Sequence, residues 1–307
     1  MRLDKILVVA GFEFRREARK RSIYLVVALM LLPLVAALIV RGIAGRPSVE
    51  EPERLWAGIL GFDPNAAIAS ASIGVISAVS LASWSWLIAT LFGGDLFASD
   101  IEDGTASLLL SRDLSRREYV AGKVAALAVT LALSFLVAGI ATYAAAWILA
   151  GRQEGLVEAA ALSPLIGLGS LPLALLAAIV GLKTRRAVLG IILGVIAYFA
   201  VAIVAGVIVV YESIVAGDPA RAAEATYLVG SALPFSTGSD WPSLIYARIH
   251  DITLTIPVPV HTAKGVVETV MVNVELGKFA PHLTVSVLAW SIGLSLLSWY
   301  LLEKTDL

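Results

Sequence analysis

Six separate stretches of this chain are apolar for about the length a bilayer requires. They are Ser22–Val40, Ile73–Gly94, Val124–Ala150, Ala159–Leu182, Ala187–Tyr211 and Leu283–Leu302. A helix needs about 20 such residues to cross the hydrocarbon core. The stretches are nearly free of charge, and the chain as a whole is only 15% charged and 59% hydrophobic. A soluble protein does not sustain that pattern six times over, so the sequence predicts an all-α polytopic membrane protein with six transmembrane helices. The charged lead-in to the first stretch is too long, and the stretch itself too extended, for a cleaved leader.

Lysine and arginine set the orientation. With the N-terminus inside, the cytoplasmic pieces hold Arg2, Lys5, Arg15, Arg16, Arg19, Lys20 and Arg21, then Arg112, Arg116, Arg117 and Lys123, then Lys183, Arg185, Arg186 and Lys304. The outer pieces are about twice as long and carry fewer. Both termini are therefore expected in the cytoplasm of a multi-pass protein of the cell membrane. A net charge of −1 excludes a strongly basic nucleic-acid binder, and the absence of cysteine removes disulfides and thiolate chemistry.

The chain divides accordingly. Residues 1–21 form an amphipathic elbow helix, with Leu3, Ile6, Leu7, Ala10 and Phe14 at helical spacing and Glu13, Arg15, Arg16 and Arg19 toward its end. Such a helix lies in the lipid interface. Residues 22–211 hold the first five spans, with a cytoplasmic loop at 95–123. Residues 212–282 form an outer insertion, and 283–307 the sixth span and tail. Within the insertion, 251–276 predicts a small β-hairpin: Ile252, Leu254, Ile256, Val258 and Val260 alternate with polar residues and prolines, and a second alternating run follows HTAKG.

The loop concentrates charge between two apolar runs. In DIEDGTASLLLSRDLSRREYVAGK, residues 100–123, Gly104 is placed as a helix stop and Thr105 as the cap of a short helix, Ala106–Ser111, with Leu108, Leu109 and Leu110 as its apolar face. Ser115 and Glu118 form an S-x-x-E capping box ahead of the third span. The result is a short helix held between two spans on the cytoplasmic side.

The order Glu102, Gly104-Thr105, Leu109-Leu110, Ser115-Arg116 and Lys123 resembles the first cytoplasmic loop of type-2 ABC transporter permeases. That loop has an acidic residue, Gly-Thr, a leucine pair, P-x-Ser-Arg and a later lysine; here Asp113 stands where the family often has proline. The segment FEFRREARKR is similar to the family's elbow helix. The resemblance covers the whole chain in layout, with its motifs in about the first 125 residues. It implies a permease subunit of an ATP-driven exporter. The short helix would dock on a separate ABC ATPase subunit through Leu108–Leu110, with Glu102, Arg112 and Arg116 as a charged rim. It also implies two permease copies, a homodimer by default. ATP and Mg²⁺ would belong to the ATPase partner, since no G-x-x-x-x-G-K-[ST] phosphate loop occurs here and the chain carries no cofactor of its own.

Two further features are candidates. Gly190 and Gly194 form a G-x-x-x-G, suited to a dimer contact or to packing within one subunit. Ser77, Ser80 and Ser83 recur at three-residue intervals in the second span and are candidates for a polar pathway, or for serines satisfied by the preceding turn. No ionisable residue lies deep in a span, which weighs against an ion-coupled carrier or channel. The histidines His250, His261 and His282 are widely separated, so neither a metal site nor an enzyme is expected. A non-transporting membrane scaffold that recruits a cytoplasmic partner is the remaining alternative.

Overall fold

A computed structural model describes residues 2–19, 80–111, 114–150, 155–212, 238–251, 253–261 and 267–304, with isolated positions between them. The first expected span, the outer loop that follows it and residues 73–79 of the second lie outside the described residues, apart from a few helical positions within 28–39. The described chain is helical almost throughout. α1 covers Leu3–Arg19, α2 Ser85–Glu102 after a 3₁₀ turn at Ser80–Trp84, and α3 Thr105–Leu110. α4 covers Arg116–Ala150, α5 Leu156–Gly169, α6 Leu171–Thr184 and α7 Ala187–Val210. After a 3₁₀ turn at Gly238–Asp240 come α8, Trp241–Ile249, the strands β1, Thr253–His261, and β2, Val267–Glu275, and finally α9, Ala280–Glu303. Among the described residues, four helical stretches are long and apolar enough to cross a membrane: Arg116–Ile148, Leu156–Thr184, Ala187–Ile208 and Gly277–Glu303.

The span Leu156–Thr184 is broken at Ser170 into α5 and α6. Pro172, in the first turn of α6, has no N–H to continue the ladder. Ser170 stays satisfied at the break by donating its hydroxyl hydrogen to the Gly167 carbonyl at 2.8 Å. α6 then packs on α2, α7 and α9, while α5 packs on α4. The main core runs through these contacts, with Phe97, Leu131, Phe135, Ile166, Leu173 and Leu175 almost wholly inside.

Gly190 and Gly194 belong to this packing. A β-carbon on Gly190 would stand 2.6 Å from the Ala177 carbonyl oxygen, 3.0 Å from the Gly94 α-carbon and 3.1 Å from that of Gly181; one on Gly194 would meet Thr90 at 2.8 Å. The G-x-x-x-G face is thus taken up inside the chain against α2 and α6, and is not free for a contact between copies.

β1 and β2 pair antiparallel, with Thr253 opposite Glu275 and His261 opposite Val267. The segment before them departs from the layout expected of an outer insertion. Phe235 packs edge-on against Trp290, centroids 5.0 Å apart, and the Trp290 indole donates to the Ala232 carbonyl at 3.0 Å. A β-carbon on Gly238 would stand 2.1 Å from the Gly169 carbonyl oxygen. Trp290 lies midway along α9, and Gly169 midway along Leu156–Thr184. Residues 232–235 and 238–240 therefore reach the middle of the helix bundle. α8 runs from there to the end of the bundle at which α5 begins, where His250 Nε2 lies 3.6 Å from Glu158 Oε1 in the first turn of α5. Nine residues of helix rise about 13 Å, close to half of a hydrocarbon core of about 30 Å.

Candidate functional site

The loop at 100–123 folds as helix, turn, short helix, turn, helix. α2 ends at Glu102, and Gly104 takes φ +70°, a conformation a side chain would strain. Gly104, not Thr105, occupies the N-cap of the short helix; Thr105 is the first helical residue and is half-buried. The boundary shifts because the left-handed residue itself supplies the reversal. The capping box is present in both directions: Ser115 Oγ accepts from the Glu118 backbone N–H at 3.3 Å, and Glu118 Oε2 accepts from the Ser115 N–H at 3.2 Å. Glu118 Oε1 also accepts from the Arg2 backbone N–H at 2.7 Å, joining the start of α1 to the start of α4.

The three leucines divide. Leu108 is 69% exposed, whereas Leu109 and Leu110 turn inward and pack on the main core. Glu102, Ser107 and Ser111 are exposed around Leu108. Arg112 and Asp113 lie outside the described residues. Arg116 does not form a free rim: its guanidinium donates to the carbonyls of Leu302 at 2.7 Å and Glu303 at 2.6 Å, at the C-terminal end of α9, where a cation is favoured. Arg117 stacks over Trp299, 4.2 Å from the ring centroid.

Lys123 is removed from the surface altogether. It is 0% exposed and sits at the centre of a buried ion cluster that joins three helices. Its ammonium is 2.7 Å from Asp100 Oδ2 on α2 and 3.2 Å from Glu13 Oε1 on α1, and it also donates to the Leu96 carbonyl. Arg16 pairs with Asp100 Oδ1 and, at 3.1 Å, with Glu13 Oε2; it also reaches Ser99 Oγ at 3.3 Å. Tyr119 donates its hydroxyl hydrogen to Asp100 Oδ2 at 2.6 Å. Two acids thus face two bases, and the cluster is neutral as a whole.

Its two carboxylates are not equivalent. Burial would raise Asp100, but Lys123, then Arg16 and the Tyr119 hydroxyl, outweigh it and hold the carboxyl below the ordinary value of 3.8. For Glu13 burial wins, and despite Lys123 the carboxyl is pushed above its ordinary 4.5. The difference follows from hydrogen bonding: Asp100 accepts several aligned donors, while the Glu13 oxygens have ion-pair neighbours but no hydrogen bond of good geometry.

α1 is pressed onto α4 at this cluster. Val9 is buried there, and a β-carbon on Gly122 would fall 2.6 Å from Val9 and 3.0 Å from the Ile6 carbonyl oxygen. The inward face of α1 is therefore Ile6, Val9 and Glu13. Leu3, Leu7, Val8, Phe12, Phe14 and Arg15 stay exposed, and Arg19 ends the helix. Of the candidate pathway serines, Ser77 lies outside the described residues, Ser80 begins the 3₁₀ turn, and Ser83 lies within it.

Sequence patterning singles out Glu13 and Lys123 without placing them together, and it passes over Asp100, Tyr119 and Asp240. For Asp100 and Tyr119 a signal exists. Gly93, Leu96, Phe97 and Asp100 form one buried stripe, as do Tyr119, Val120, Lys123 and Leu127, so both charges occupy core positions of helical faces. Among the described residues no group of three metal-ligating side chains comes together.

Residues 63–216, just over half of the chain, match the family described as "Protein of unknown function (DUF2705)", and the chain belongs to that family. The match takes in the loop at 100–123, α2 and α4 through α7. No curated protein matches the chain.

Proposed function

We propose that this member of the DUF2705 family is the membrane-spanning subunit of an ATP-driven ABC transporter, an exporter by its resemblance to type-2 permeases. It crosses the membrane six times with both termini in the cytoplasm, lays α1 along the lipid interface as an elbow, and works with a second copy. ATP and Mg²⁺ are bound by a separate ATPase subunit, because the chain has no phosphate loop of its own.

The observation that carries this reading is the mounting of α3. It is a six-residue helix with an exposed leucine, set between two long helices whose cytoplasmic ends are locked to each other and to α1 by the buried ion cluster. A load applied at Leu108 is passed to α1, α2 and α4 as one body, and through Arg116 to α9. A loop that only oriented the protein needs basic residues, not this mounting. α4 supports the placement: its 33 apolar-span residues extend about 50 Å, some 20 Å more than a bilayer core, and the excess holds Lys123 outside the hydrocarbon.

The test is co-purification from the native membrane with a Leu108→Asp variant. The native chain brings down a protein with a G-x-x-x-x-G-K-[ST] motif and stimulates its ATPase. The variant inserts normally and loses that partner. A variant that retains both partner and stimulated ATPase refutes the docking role of α3.

One observation favours an ion-coupled carrier as the second reading: Asp240, expected outside the membrane, lies in the turn that reaches the middle of the bundle. A carrier of that kind would transport with no ATPase present.

A further inference from the structure

Asp240 is the acid of the 3₁₀ turn Gly238–Asp240 and immediately precedes α8. The turn is fixed on several sides. Gly238 lies on the Gly169 backbone, the turn abuts the 3₁₀ segment Ser80–Trp84, and Trp241 donates its indole hydrogen to Thr284 Oγ1 at 2.8 Å. Trp86 follows that 3₁₀ segment by two residues. Tyr198 is the midpoint of α7 and stacks on Trp86, centroids 5.5 Å apart, with Phe199 edge-on to both.

The half-buried Asp240 carboxylate has no ion pair and no hydrogen bond with the described residues, and it makes no side-chain cap to α8. Among the described residues, Arg16 and Lys123 are held in the cytoplasmic cluster, Arg248 on the Gly277 carbonyl and Lys278 with Glu224. An acid at bilayer mid-depth carries a desolvation cost that persists only where something compensates it, and such acids line ligand or ion routes. The neighbouring aromatic faces add a second attraction for positive charge.

We propose that Asp240, with the Trp86–Tyr198–Phe199 cluster beside it, forms a binding site for the positively charged amine of an amphipathic organic cation. The amine pairs with the carboxylate and the apolar body lies against the rings. This names a cargo class and rests on the transporter reading, but its test does not require the ATPase.

The full chain in lipid nanodiscs, with whatever subunits accompany it, is titrated with a dansylated alkylamine and with its N-acetylated, uncharged twin. The saturable part of the fluorescence change is taken after competition with unlabelled amine. The native chain is expected to bind the amine about tenfold or more tighter than the neutral twin, the scale of one charge-assisted contact. Asp240→Asn abolishes that preference, and Asp240→Glu retains it. Equal binding of the two probes by the native chain overturns the proposal without any variant, as does a preference that survives in Asp240→Asn. An amine preference with no co-purifying ATPase would keep this site and remove the exporter; an ATPase with no amine preference would do the reverse.

Discussion

Replacing Asp100 with asparagine is expected to release α1 from the bundle. Asp100 and Lys123 are both 0% exposed, so solvent does not screen the pair. The substitution leaves Lys123 and Arg16 facing Glu13 alone, an uncompensated positive charge in the interior. Breaking a buried pair from one side costs about 3–5 kcal/mol. The Tyr119 hydroxyl keeps an acceptor in asparagine, and members of one network do not add, so no further cost is assigned to it. Hydrogen exchange in nanodiscs reads the effect where it occurs. The amides of α1 near Val9 and Glu13, and of α4 near Gly122, should lose protection by at least about a hundredfold, the equivalent of roughly 3 kcal/mol in local opening. Replacing both partners, Asp100→Leu with Lys123→Met, should recover most of the protection, since an apolar pair of similar volume avoids the desolvation cost. A single Asp100→Asn variant whose α1 protection falls less than about fivefold, under 1 kcal/mol, would refute the claim that this cluster holds α1 to the bundle.

Three other outcomes follow from the same geometry. Because Asp100 is held below 3.8, its contribution is complete above that value and disappears as pH falls through its depressed folded value; because Glu13 is raised above 4.5, its contribution is complete below 4.5 and is lost as pH rises through its folded value. Protection of α1 should therefore rise on acidification toward about pH 4.5 and fall below about pH 4, and Glu13→Gln should remove the rise while keeping the fall, as exchange at matched intrinsic rates would show. Gly122→Leu forces a side chain into Val9 and the Ile6 carbonyl, which costs on the order of 1–3 kcal/mol or displaces α1; proteolysis of the α1–α2 region would detect the displacement. Gly190→Leu should lower the apparent Tm of the chain by several degrees while leaving its oligomeric state by mass photometry unchanged, since that glycine packs on Ala177 and Gly94 of the same chain.

What the sequence made legible is the part governed by local rules. Apolar length set the spans of α4, α7 and α9, the S-x-x-E pattern set the start of α4, and Gly104 marked the end of α2. The break at Ser170 was signalled by Pro172, but hydropathy averages across a proline and returned one continuous run. The ion cluster depends on which helices meet, and a lysine in a basic loop gives no local sign that it points inward. Lys123 read as part of the positive flank; only its place on the stripe with Tyr119, Val120 and Leu127 distinguishes it. The same limit explains Gly190 and Gly194, whose spacing fits close packing without naming the partner. The inward position of residues 232–235 and 238–240 was hidden because that stretch of sequence is mixed, as an outer loop would be, and its depth is set by contacts with Gly169 and Trp290.

The chain contains no cysteine, so a single Ser107→Cys, on the exposed side of α3 beside Leu108, can carry a photo-crosslinker without a background thiol. Crosslinking in the native membrane, followed by sequencing of the trapped partner, asks directly what α3 touches. Docking of α3 on an ATPase predicts a protein with a G-x-x-x-x-G-K-[ST] motif, trapped in the native background and lost when Leu108→Asp is added. Capture of lipid alone, or of a protein with no nucleotide-binding motif, would contradict it.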